Sequence, residues 1–156
     1  MALILAAACA TAGIRAASAT PDPADAQRLF SEAKEICEHD HGTLWGQPLC
    51  GPILLVDPTD RSVLANQADA EGKLQASGTA YRGVLAESVI IANTPIEWAG
   101  VRWTELAWPL TPHGESGARE EDRRQVLLAH ELFHRIQPEL KLTRPEVGNA
   151  HLDTGL

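Results

Sequence analysis

The segment "IEWAGVRWTELAW", residues 96–108, restricts how this chain can fold more than any other stretch. With Ala99-Gly100 as a two-residue turn, Trp98 faces Val101, Glu97 faces Arg102 and Ile96 faces Trp103. Apolar pairs then share one face and an ion pair lies on the other, the cross-strand pairing that stabilises a hairpin. A one-residue slip would send every one of these side chains to the wrong face.

The flanking sequence fits a sheet around this hairpin. "PILLVDPTDRSVLANQ" reads as two short strands about the turn Asp57-Pro58-Thr59-Asp60. "NQADAEGKLQASG" is polar and reads as loop, and "TAYRGVLAESVIIANT" offers two more short strands. Upstream, Ala26, Leu29, Phe30, Ala33, Ile36 and Cys37 recur at steps that put them on one helical stripe. Asp22 or Asp25 can cap that helix and Pro23 suits its first turn, so a helix is expected from about 23 to 37, stopped by "HDHG". At 156 residues the chain fits one domain. The expected class is α+β: an N-terminal helix, a small antiparallel sheet of four to six strands, then a second helix.

That second helix carries the chemistry. "PLTPHGESG" connects to it, with Ser116 a candidate cap. Glu120, Glu121 and Asp122 supply the acids that a first turn favours, and Pro138 stops the helix after Gln137. Val126, Ala129, Leu132, Phe133 and Ile136 fall on one arc. His130, Glu131 and His134 fall on another, with Leu127 among them. His130 and His134 are one turn apart, so both imidazoles can reach one ion, with Glu131 beside it as a base rather than a ligand. A metal-free core would have to bury two His and a Glu together, which is costly unless they are paired. His39 and His41 form a second pair that can bind a surface metal. Such a pair is more often a solvated helix end, where His suits the helix dipole.

"VLLAHELFHRIQ" resembles the active-site helix of zincin metallopeptidases, and a small sheet before that helix is similar to the zincin layout. The resemblance covers about residues 80–137 in layout and His130–His134 in strict motif. It implies Zn2+ as cofactor, His130 and His134 as metal ligands, Glu131 as the catalytic base, and an edge strand that aligns the substrate. The metzincin pattern fails, because Gln137 and Leu140 stand where that family has Gly and its third His. "NAHLDT" resembles a segment of exported, gluzincin-like bacterial proteins, whose third ligand is a Glu on a later helix. Only 22 residues follow His134, and Pro145, Gly148 and Gly155 leave little room for such a helix. The expectation is that residues 20–156 form an incomplete zincin-like catalytic subdomain that lacks the usual third ligand, holds zinc weakly and has little or no activity, the peptidase being its complete form. Among in-chain substitutes, His151 and Asp153 have enough chain to return to the site, and Glu139 and Glu146 are weaker candidates. His151 and Tyr81 are candidates for an oxyanion donor.

Residues 1–19 read as a signal peptide, since "MALILAAACATAG" is apolar but too short to span a bilayer stably, and "ASA" at 17–19 fits a signal-peptidase site. No basic residue precedes the apolar run. Export, periplasmic or extracellular, would leave Cys37 and Cys50 to pair as one disulfide, worth roughly 3 kcal/mol in the chain-entropy picture. The 13 Lys and Arg against 21 Asp and Glu give a charge of −8, which argues against nucleic acid as a partner. The leading expectation is an exported zinc peptidase acting on a peptide or protein. The alternatives are a zincin-like envelope binding module without catalysis, and a disulfide-bonded scaffold with a chance motif.

Overall fold

A computed structural model describes residues 22–110 and 118–141. The expected signal over 1–19, Ser116, Glu146, His151 and Asp153 lie outside these residues. The first helix, α1, spans Pro23–Asp40. Asp22 caps it by accepting from the Ala24 amide at 2.9 Å. The helix runs past the expected end near 37, and "HDHG" closes it: His41 adopts a left-handed φ of 50° and donates its amide to the Cys37 carbonyl. The Asp40 carboxylate then accepts from the amides of Gly42 and Leu44. Ala26, Leu29, Phe30, Ala33 and Cys37 form the buried stripe.

Six strands follow: β1 (Ile53–Val56), β2 (Ser62–Ala65), β3 (Gln75–Ser77), β4 (Ala80–Val84), β5 (Thr94–Trp98) and β6 (Val101–Ala107). They form one sheet in the order β3-β4-β2-β1-β6-β5. The 96–108 hairpin has the expected register in all three pairs, with Ala99 at φ 50° and Gly100 at φ 73° as a two-residue primed turn requires. Arg102 and Glu97 form the ion pair at 3.1 Å. The sheet is mixed rather than wholly antiparallel, because β1 pairs parallel to β6. β1 is thereby central and buried along its whole length, as its unbroken run Ile-Leu-Leu-Val allows. Two local expectations fail. The polar loop contains β3, which pairs with β4 through backbone bonds that polar side chains do not prevent. Residues 89–93 form bends rather than a strand, held by side chains from elsewhere: Arg61 donates to the carbonyls of Leu85, Ala86 and Val89, and Glu105 accepts from the Ala92 amide.

The second helix, α2, spans Ala118–Ile136 and packs with α1 on one face of the sheet. Its buried residues are Leu128, Glu131, Leu132 and Ile136, whereas Val126 is 69% exposed. The expected apolar arc is therefore rotated. Val126 to Ala129 are apolar all round the helix, so periodicity does not fix the angle there, and Val126 lies roughly 160° around the helix from Leu128. The other sheet face carries a second cluster around Trp103, Leu54, Val56 and Val63. Cys37 and Cys50 are bonded, as expected, and tie α1 to the strap that leads into β1. Among the described residues no helix is long and apolar enough to cross a membrane.

Gly51 lies against the Arg135 side chain, and a Cβ there would fall 2.3 Å from the guanidinium carbon. That guanidinium donates to the carbonyls of Leu49 and Cys50 at 3.1 and 2.6 Å. Gly51→Ala should therefore lower stability by about 1–3 kcal/mol, because shifting the guanidinium weakens or breaks one of two charged bonds worth about 1.5–3 kcal/mol each. Adding Gly51→Ala to Arg135→Ala should cost nothing more. Urea melts of the three variants decide, and a neutral Gly51→Ala would contradict the packing.

Glu105 is fully buried on β6, and burial pushes its carboxyl up to about 7, against the pull of the Ala92 amide and Arg61. The fold thus favours the protonated form. Its contribution is greatest below the unfolded value of about 4.5 and is lost as pH rises through about 7. Replacing it with Gln should flatten stability between pH 5 and 8, with Glu105→Gln gaining on the parent by up to about 3 kcal/mol at the alkaline end. Parallel pH-dependent melts check this, and identical slopes in both proteins would refute it.

Candidate metal centre

Three contacts fix α2 near the residues that matter. Arg135 reaches the Leu49 and Cys50 carbonyls, its own carbonyl accepts from Arg102 Nε at 3.0 Å, and Leu132 and Ile136 sink into the core. The helix face presenting His130 and His134 is thereby aimed away from the sheet centre and toward the edge strand β5. The two rings meet edge to face, with Nε2 of one 2.8 Å from Nε2 of the other. His134 Nδ1 lies 2.8 Å from Gln137 Oε1.

Glu131, between the two His, is only 5% exposed, and its Oε2 has no hydrogen-bond partner. Burial pushes its carboxyl above the ordinary carboxylate range, with both imidazoles pulling the other way. A cleft of about 480 Å³ opens where these groups face Asn93, Thr94 and Pro95 at the start of β5, with Gln137 and Pro138 closing one end. Asn93 is held there by accepting from the Ala107 amide at 2.9 Å. On its other side His130 borders a wider groove of about 1200 Å³ between α1 and α2, floored by Trp45, Val126 and Phe133.

The residues present fit part of a zinc site. Zinc binds imidazole nitrogen at about 2.0–2.1 Å, so two tetrahedral ligands lie about 3.3 Å apart. A small opening of the His130–His134 pair reaches that spacing. Among the described residues no group of three metal-ligating side chains assembles. Glu139 acts electrostatically on Arg135 and joins no such group. His39 borders the wide groove with His130, and His41 serves as the α1 cap. Tyr81 does not reach the cleft: it packs on the opposite sheet face, on β4, separated from β5 by β2, β1 and β6. Sequence reasoning placed His130, Glu131 and His134 together, and they are together. It missed Asn93, Thr94 and Gln137, although Gln137 carries a readable signal, since it follows His134 by three residues on the same helical side.

No protein-family model, characterised protein or solved structure matches this chain.

A buried carboxyl with an unpartnered oxygen is a cost to the fold. In metal-free protein, Glu131→Leu should raise stability by about 1–3 kcal/mol, the signature of a residue kept for something other than folding. Loss of stability in urea melts would show instead that Glu131 is a structural element.

Proposed function

We propose that this chain carries the metal-binding, base-bearing helix and substrate-aligning edge strand of an exported zinc-dependent peptidase, which hydrolyses peptide bonds in a peptide or protein substrate. The observation that carries the reading is the convergence of His130 Nε2 and His134 Nε2 at the mouth of a cleft walled by Glu131 and by edge strand β5. The resemblance of "VLLAHELFHRIQ" to zincin active-site helices agrees with it. The disulfide suits an oxidising compartment.

His130 and His134 would hold the ion through Nε2. Zinc, when bound, polarises a carbonyl and acidifies water. Glu131 would accept a proton from water and pass it to the leaving amine. Among the described residues β5 pairs with β6 alone, so its other side can align an extended substrate through main-chain hydrogen bonds, except at Pro95, which has no N–H. Burial of Glu131 limits competition from bulk water at that carboxyl.

A second reading is a zincin-like envelope binding module without catalytic activity. The specific observation favouring it is that no three-ligand group forms among the described residues. The readings separate in one set of assays on the zinc-loaded protein. Peptidase action requires hydrolysis that a chelator abolishes. Glu131→Gln should keep zinc and lose activity by about 10²–10⁴-fold, whereas His130→Ala and His134→Ala should lose both. Zinc bound without any hydrolysis assigns the binding module. Equal loss of zinc in all three variants would show that Glu131 is a ligand and not the base.

A further inference from the structure

We infer that Gln137 is a positioning residue that locks the His134 ring in its Nδ1–H tautomer, so that Nε2 presents its lone pair to the shared point with His130. The inference rests on the zinc reading for its purpose, and on the structure for its geometry. Gln137 follows α2, where its amide donates to the Phe133 carbonyl at 3.0 Å and its carbonyl accepts from the Leu140 amide at 3.2 Å. Pro138 behind it cannot continue the helix ladder. The backbone is therefore pinned on both sides, and the side chain runs back along the helix to put Oε1 2.8 Å from His134 Nδ1.

An amide oxygen only accepts, so the proton of a neutral His134 ring must sit on Nδ1. That leaves Nε2 without a proton, facing His130 Nε2. Ligating histidines ordinarily need such a partner, which sets both tautomer and ring angle and raises ligand basicity. Here the partner comes from the ligand's own helix, one turn on. His130, by contrast, is exposed, and no hydrogen bond to its Nδ1 forms among the described residues. His134 is thus the preset ligand, and His130 is the ring that moves to complete the pair.

The experiment has two readouts. Nitrogen-15 spectra of the metal-free full chain above pH 8 report which His134 nitrogen carries the proton. The parent and Gln137→Glu, whose carboxylate also accepts, should show Nδ1–H. Gln137→Leu should shift the ring toward the Nε2–H form with its far-UV circular dichroism unchanged. A parent ring protonated on Nε2, or a tautomer indifferent to Gln137→Leu, overturns the inference. Zinc titration by calorimetry is the second readout. Gln137→Leu should bind about 10–100-fold more weakly than the parent, and Gln137→Glu should stay close to it. Equal affinity in parent and Gln137→Leu also overturns the inference. A parent that takes up no zinc while its tautomer is locked refutes the metal reading and leaves the lock itself supported.

Discussion

The Arg135 guanidinium is the contact through which the remaining parts act on one another. It sits one residue after His134, on the side of α2 that faces the protein rather than the cleft. By donating to Leu49 and Cys50 it fastens the helix to a strap that the Cys37–Cys50 bond ties to α1. Its backbone carbonyl takes Arg102 from the hairpin, which fastens the same turn to the sheet. Strap, sheet and first helix thus all bear on the turn that carries the second imidazole. Gly51 is the residue type that leaves room for this arrangement. Charged donors to carbonyls are stronger than neutral ones, and a helix C-terminus welcomes the positive charge.

Glu105 and Glu131 are buried carboxyls to which the fold offers few partners. Glu105 accepts one amide, from Ala92, and keeps one oxygen unpartnered. That single bond helps hold residues 85–93, the segment that delivers Asn93 and Thr94 to the cleft. Glu131 is buried with less compensation still. Buried polar groups of this kind cost free energy unless something else is gained. For Glu105 the gain is the placement of the edge strand. For Glu131, under the proposed function, the gain would be a shielded carboxyl beside the two imidazoles.

Much of this was legible from residue order. The hairpin about Ala99-Gly100 was readable because its pairs are adjacent in sequence and a two-residue turn admits one register. The closeness of His130, Glu131 and His134 was readable because helix geometry alone dictates it. The parallel pairing of β1 with β6 was not, since nothing in either strand encodes a partner more than 45 residues away. The rotation of α2 was hidden by four consecutive apolar residues at 126–129, any of which could face the core. The loop at 89–93 looked like a strand because its Val and Ile suit one, and its true shape depends on Arg61 and Glu105, which lie far along the chain. The cleft wall at 93–95 follows from the same long-range contacts.

The most direct test of the central claim is X-ray absorption at the zinc edge on the purified protein after zinc loading. At saturating zinc the protein should hold the ion through two imidazole nitrogens at about 2.0–2.1 Å, with light atoms completing the shell and no sulfur. Both imidazole shells should vanish together in His130→Ala/His134→Ala. A zinc-saturated sample with no imidazole shell, or a shell containing sulfur at about 2.3 Å, would contradict that claim.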